Sequence, residues 1–541
     1  MTVPKSVGGI LTEMAVKYTR RKYLFFKNQK VTFSQAEKIC NKLSRVIINA
    51  GLKKGDRVAL MLENSPFFIY SLFAVLKAGG VVVPVNTFLK EREVAYIIEN
   101  CESKILITSE KYKDVVKGVS KECKTLKTVF AFNDNASEWN AKNILAEADS
   151  MSDKPLNLSL DHSDLALIIY TSGTTGEPKG AMLSHGNIVM MCKMASDTYA
   201  MNFKDRFLLF LPMFHIYSLV VTIVFPTFLG ASIVILESVM DLKKKNFKNI
   251  LIFKRPTVMV AVPSVYSALV KAKMPKWFIK FFYPVKVHLS SGSGLPVEVF
   301  NAFKKKFGRG LLEGYGLSEA SPLVAGNSME NPKAGSVGKP PLGVKVKIVD
   351  GDDMEVERGT VGEIIVSGSN IMQGYWKKPK ETADVLKNGW FFTGDLGYMD
   401  DEGNISIVDR KKDLILVKGM NVYPREVEEL VYKVPGVEAA AVIGIPDEEG
   451  DEVIVAYVKK APEAEVTEKS IKQFLKQNLA NFKIPKHIYF SEDLPLTTIG
   501  KVLKRKLKEM VLNGQLIGPK IEETLSVAKD KLVKGTQPKS I

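Results

Sequence analysis

Four short runs made only of apolar residues, at 58–62, 81–83, 105–107 and 129–132, punctuate the first quarter of the chain. Runs this short and this uniformly apolar suit strands buried inside a sheet better than amphipathic helices. Helix-like segments lie between them. Ala36, Ile39, Cys40, Leu43, Val46 and Ile47 recur at three- and four-residue spacing before Gly51, and Pro66 opens a second segment that Ala78-Gly79-Gly80 closes. Strands alternating with helices every ~20–30 residues predict an α/β fold with largely parallel sheets. After Pro332 the texture changes. Gly335, Gly338, Pro340-Pro341, Gly343, Gly359, Gly362 and Gly368 separate short β-rich runs, predicting a compact β subdomain over about 332–409. The charged stretch Asp409-Arg410-Lys411-Lys412-Asp413 then precedes a fresh series of strand and helix patterns. The expected organisation is therefore a large N-terminal domain over 1–409, a small α+β C-terminal domain over 410–510, and a basic tail over 511–541.

Composition narrows the class. With 46% hydrophobic and 25% charged residues in 541, the chain has material for several cores and is not mainly disordered. Its four cysteines, Cys40, Cys101, Cys123 and Cys192, show no zinc-ligand spacing, which argues against a metal module or disulfide scaffold and for a reducing compartment. Glu13 interrupts the only early apolar run, so no signal peptide is expected and the reading is cytoplasmic. Residues 207–236 carry no formal charge, but Pro212, His215, Pro226 and Gly230 divide them into pieces that suit buried core elements better than a membrane span. The net charge of +17 is not organised as basic blocks interleaved with aromatics, so nucleic acid is not an expected partner. Peripheral contact with the anionic inner face of a membrane, through the basic tail, stays open, as does a homodimer.

The strongest local signal is T-S-G-T-T-G-E-P-K-G at 171–180, directly after an apolar strand candidate at 165–170. Glycines let backbone N–H groups converge, hydroxyls add donors, and Lys179 adds charge: the ingredients of a phosphate cradle. It is not a Walker A loop, because no Gly-Lys-Ser/Thr ending is present.

This motif resembles the signature of the adenylate-forming superfamily of acyl-CoA synthetases, luciferases and peptide-synthetase adenylation domains. Tyr315-Gly316-Leu317-Ser318-Glu319, Thr393-Gly394-Asp395, residues 409–413, Lys418-Gly419 and Gly500-Lys501 resemble the family's later motifs, in family order across roughly 30–506. The resemblance implies ATP, Mg²⁺ and CoA as reactants and cofactor. A carboxylate attacks the α-phosphate of ATP, releasing pyrophosphate, and a thiol then displaces AMP from the acyl-adenylate. A carboxylate is already an ionised nucleophile, so catalysis rests on charge compensation rather than on a triad.

Carried over residue by residue, the resemblance assigns the phosphates to Thr171, Ser172, Gly173, Thr174, Thr175, Gly176 and Lys179, and the metal to Glu319 with Thr171. Ser318 would touch the α-phosphate, and Lys501 would bridge the carboxylate and the α-phosphate. Tyr315, Ser293 and Gly294 would contact the nucleotide base, Gly316 would also belong to the nucleotide site, and Asp395 and Arg410 would lie on the ribose. His215 and Gly316 would border the acyl pocket, Lys412 would be the hinge of a mobile C-terminal domain, and Gly419 would line the CoA tunnel. One departure is Ile499, where the last motif usually has serine. Glycine at 316, where acetate-specific relatives carry tryptophan, implies an open pocket. Ile216, where amino-acid-activating relatives carry aspartate, argues against an amino acid. The expected substrate is a medium- to long-chain fatty acid. An aryl or cinnamate-type acid is the alternative, and a non-catalytic nucleotide-binding relative is the reading from another class.

Overall fold

The computed structural model describes residues 3–133, 135–171, 177–243, 246–417, 420–446, 452–492, 494–496 and 502–513. The chain divides into two compact units. The first comprises Met1–Gly292, Asn301–Val346 and Ile365–Phe392; the second comprises Ser293–Phe300, Lys347–Ile364 and Thr393–Ile541.

The first unit is built on two eight-stranded sheets. In one, the order is Gly374–Tyr375, Lys179–Ser184, Leu165–Thr171, Val81–Pro84, Arg57–Met61, Ile105–Thr108, Thr128–Ala131, Lys142–Asn143. The four apolar runs of the sequence pair in parallel here, as in Val58 with Val82 and with Ile105. Helices cover the sheet because their apolar residues share a face. Helix Phe33–Asn49 starts at a capping box in which the Thr32 and Gln35 side chains take up each other's backbone N–H, and it buries Ala36, Cys40, Leu43, Val46 and Ile47. Helix Pro66–Lys77 begins on proline, and the chain then leaves through Gly79 at φ +77°, a left-handed turn that suits glycine.

The second sheet runs Ala325–Gly326, Leu312–Tyr315, Val287–Ser290, Val258–Ala261, Arg206–Leu209, Ser232–Ile235, Lys22–Phe26, Gln29–Thr32. The uncharged stretch 207–236 is thereby accounted for. It supplies two parallel strands of this sheet and, between them, a buried helical segment with a π-helical turn at Leu219–Val224 that ends at Gly230. Among the described residues no helix is long and apolar enough to cross a membrane. The mixed α/β fold is as the sequence predicts.

In the second unit, the hairpin of Trp390–Met399 with Ile405–Arg410 pairs Asp395 with Arg410. Further on, Val437–Pro446, Glu452–Lys460 and His487–Phe490 form a three-stranded sheet whose two faces bury Val427, Val431, Ile471 and Leu475 on one side and Leu507 and Val511 on the other.

Candidate functional site

Thr171 ends its strand and pairs with Lys179 across a hairpin, its hydroxyl donating to the Lys179 carbonyl at 3.4 Å. Ser172, Gly173, Thr174, Thr175 and Gly176, the centre of the phosphate motif, lie outside the described residues, as do Gly419, Ile499 and Lys501. What the structure does place is the frame. The Lys179 ammonium sits 5.5 Å from the centre of the Tyr375 ring, and the Tyr375 hydroxyl donates to Glu319 Oε1 at 2.9 Å. Burial, with Glu319 beside it, raises the Tyr375 phenol well above its ordinary pKa, so it remains a hydrogen-bond donor. Tyr375 therefore links the lysine of one motif to the carboxylate of another. Sequence reasoning passed it over because a lone tyrosine between a glycine and a tryptophan carries no pattern.

Ser318 and Glu319 stand on a 3₁₀ turn, Ser318–Ala320, that strand Leu312–Tyr315 delivers. Asn370 holds the turn through Nδ2, which donates to the carbonyls of Ala320 and Leu323 at 3.0 and 2.6 Å; the Met372 N–H donates to the Glu319 carbonyl at 2.8 Å. Ser321 has φ +57°, and its side chain donates to the Asn370 carbonyl at 2.8 Å, so the left-handed conformation is secured from outside the turn.

A cavity open to the surface, about 560 Å³ with the solvent at its mouth included, adjoins this turn. Met191, Ala195, Val221, Phe225, Leu289 and Leu323 give it apolar walls, and Tyr199, Tyr217, Ser290, Glu313, Gly314 and Tyr315 add polar or backbone surface. The hydroxyls of Tyr217 and Ser290 are buried with no hydrogen-bond partner among the described residues. Apolar walls with a few polar groups are the make-up of a small-molecule site.

The two residues expected to border the acyl pocket are placed beside this cavity rather than in its wall. His215 caps the turn Ile216–Ser218, its Nδ1 accepting from the Tyr217 N–H at 3.2 Å. Burial lowers its pKa to about 4, so the imidazole is neutral at pH 7. Gly316 does not hold a pocket open. A Cβ there would overlap the Pro322 carbonyl and lie 3.1 Å from the Leu323 nitrogen, because the 316–323 loop folds back on itself, with the Val324 N–H donating to the Tyr315 carbonyl at 2.9 Å. Glycine is required by backbone proximity. The neighbouring Gly314 is the one facing space: it lines the cavity, and a Cβ there meets only the Ala325 carbonyl, at 3.6 Å.

In the second unit, Asp395 is buried and its Oδ1 lies 3.1 Å from Arg410 Nε. Its backbone N–H donates to the Thr393 hydroxyl at 3.1 Å, Thr393 donates to the Ile364 carbonyl at 2.7 Å, and the Gly394 N–H donates to Glu363 at 3.0 Å. Lys412 is exposed on the 3₁₀ turn Lys411–Asp413. Gly294 abuts the guanidinium of Arg425, which bonds Glu429 at 3.0 Å, and Ser293 precedes it. Near the end of the described chain, Lys504 forms a largely buried ion pair with Glu428 at 2.8 Å, and Glu428 also accepts from the Val442 N–H at 2.7 Å. No motif announced the Arg425–Glu429 or Glu428–Lys504 contacts.

Fold and frame are those of an adenylate-forming enzyme, and comparison with known proteins agrees. The family model for AMP-binding enzymes matches residues 11–376, and the model for the AMP-binding enzyme C-terminal domain matches 426–501. The chain belongs to this family. It is 34% identical over 538 residues to a long-chain-fatty-acid–CoA ligase of Bacillus subtilis, covering 93% of this chain and 94% of that protein. It is also 34% identical over 480 residues to a feruloyl-CoA synthase of an Amycolatopsis species, covering 88% and 93%. Among solved structures, ATP-bound MatB from Rhodopseudomonas palustris superposes with a TM-score of 0.86 at 29% identity, covering 93% of this chain and 98% of that one. These relationships place the chain among the AMP-forming CoA ligases.

Proposed function

We propose that the protein activates a medium- to long-chain fatty acid with ATP and transfers the acyl group to CoA. The observation that carries this reading is the cavity with apolar walls next to the Ser318–Glu319 turn. An alkyl chain in it would lose its water contact at about 0.8 kcal/mol per methylene. Curated long-chain-fatty-acid–CoA ligases among the relatives support the same substrate.

In the proposed first step a carboxylate oxygen attacks the α-phosphorus and the bond to pyrophosphate breaks. Thr171, Lys179 and the 172–176 loop bind the departing phosphates, Ser318 contacts the α-phosphate, and Lys501 offsets the charge shared between carboxylate and phosphate. Tyr315 and the 293–294 turn serve the base, and Asp395 accepts from the ribose hydroxyls with Arg410 beside it. Glu319 and Thr171 offer hard oxygen donors that would hold Mg²⁺, and the ion would supply charge neutralisation at the phosphates. In the second step the CoA sulfur attacks the acyl carbon, AMP leaves, and the thiol proton passes to solvent. The C-terminal domain turns about Lys412 between the steps, and Gly419 leaves room for the pantetheine arm.

An aromatic acid is the second reading, favoured by the unpartnered hydroxyls of Tyr217 and Ser290 at the cavity wall, which suit a polar ring substituent. AMP release with ATP, Mg²⁺ and CoA, measured from acetate to oleate and with cinnamate and ferulate, separates the two. A peak among fatty acids supports the first reading; a peak on ferulate that falls in Tyr217→Phe replaces it. Lys501→Ala is expected to lose adenylation while still converting supplied acyl-adenylate to thioester. Equal loss of both steps would refute the alternating domain.

A further inference from the structure

Between Leu242 and Val297 the chain carries ten lysines and Arg255 but no acidic residue, a local charge of +11 in a molecule of +17. Aromatic residues stand among these charges, and the structure turns several outward. Helix Lys276–Phe282 buries Phe278 and leaves Trp277 58% and Phe281 66% exposed; Phe253, on the helical turn Ile250–Lys254, is 74% exposed. The helical turn Asn246–Asn249, which runs on into Ile250–Lys254, meets helix Lys276–Phe282 where the Lys248 ammonium lies 5.6 Å from the Phe278 ring, and Lys280 sits 5.5 Å from the Phe281 ring. Phe278, Phe282 and Trp277 pack on one another with centroids 5.8 to 6.1 Å apart, so the outward rings stand on a rigid base.

Exposed rings cost solvation unless something covers them. We propose that this face lies on an anionic lipid bilayer, with Trp277, Phe281 and Phe253 in the headgroup zone and the surrounding lysines at the lipid phosphates. Charge complementarity selects this occupant. Tryptophan and phenylalanine beside lysine are the composition of interfacial anchors, whereas a protein partner would have to present a matching acidic face with an apolar centre. Nucleic acid fits less well, because the rings pack against one another and the face offers almost no arginine to grip phosphates in pairs. The stretch is distinct in sequence from the phosphate motif at 171–180 and from the tail at 511–541, and the inference does not depend on which acid is activated.

The test is co-sedimentation of the full chain with vesicles of phosphatidylcholine alone and with an equal part of phosphatidylglycerol. The protein should bind the mixed vesicles and leave the neutral ones in solution. Lys276→Gln with Lys280→Gln should weaken binding about five-fold per charge, roughly 25-fold together. Brominated lipid should quench tryptophan fluorescence in the wild type, and Trp277→Phe, which keeps an aromatic ring, should remove most of that quenching. All these positions are exposed, so melting temperature and activity on detergent-dispersed acid should match the wild type. The inference is overturned if no vesicles are bound or if the lysine pair can be changed without effect. It is equally overturned if quenching survives Trp277→Phe, or if an oligonucleotide strips the protein from the vesicles.

Discussion

Gly314 and Gly316, two residues apart, should respond in opposite ways to the same substitution. At Gly316 an added methyl group would occupy the position of the Pro322 carbonyl, itself fixed within a loop that Asn370 clamps at 2.6 and 3.0 Å. Backbone must move, and overpacking of this kind costs about 1–3 kcal/mol or more, so Gly316→Ala should lower stability and damage all acids alike. At Gly314 the nearest atom is an oxygen at 3.6 Å, an ordinary contact, and the side chain would enter the cavity. Valine there adds three carbons to the wall. An acid whose chain reaches that wall loses the space of two or three methylenes, about 0.8 kcal/mol each, or about 2 kcal/mol and a roughly 30-fold fall in kcat/KM. Shorter acids should keep their rates, so Gly314→Val shifts the optimum toward shorter chains without changing melting temperature by much. The assay is AMP release across even-numbered acids from four carbons upward, with thermal denaturation of each variant. An unchanged chain-length profile in Gly314→Val, or a stable Gly316→Ala with a shifted one, would refute the assignment of this cavity to the acid.

Three other perturbations test separate parts of the structure. Tyr375→Phe keeps the ring next to Lys179 but removes the hydrogen bond to Glu319; a bond to a charged acceptor is worth about 1.5–3 kcal/mol, so ATP–pyrophosphate exchange should need about ten-fold more Mg²⁺ or more, and an unchanged Mg²⁺ titration would dismiss the link. Lys504→Met strands the buried carboxylate of Glu428 and should destabilise the second unit by about 3–5 kcal/mol, seen as faster hydrogen exchange along Glu452–Lys460; adding Glu428→Leu should recover most of the loss, and a single variant as stable as wild type would count against the pair. Burial holds the imidazoles of His185 and His215 at a pKa of about 4 and that of His288 at about 3, below the ~6.5 of an unfolded chain. The unfolded state therefore binds more protons below pH 6.5, and stability that is complete above it is lost on acidification toward pH 4, at up to about 1.4 kcal/mol per pH unit for each histidine; a flat melting temperature from pH 6.5 to 5 would contradict this.

The division between what the sequence made legible and what it did not follows the range of the interactions. Local patterns sufficed for the buried strands at 58–62 and 81–83 and for the helix begun at Pro66, because burial on both faces, or on one face, writes a period into neighbouring residues. Family membership was legible in the same way, because the motifs that signal it occupy a few consecutive positions each. Contacts between distant segments leave no such trace. Tyr375 reaches Glu319 across 56 positions, and Glu428 and Lys504 meet only once their strands and helices have packed. The glycine at 316 shows the error this invites: a small residue reads as empty space, yet here it marks a place where two stretches of backbone touch. The basic face at 242–297 was missed for the related reason that a charge tally over the whole chain hides which lysines lack acidic neighbours. On the proposed function, the residues that run the chemistry and those that choose the acid also belong to different elements. The former lie on turns at strand ends, such as Ser318 and Glu319; the latter are spread over Met191, Val221, Phe225 and Leu289, ordinary core positions in any sequence. The reaction can therefore be read from motifs while the acid must be read from the shape of the wall, and the Gly314 series probes that wall directly.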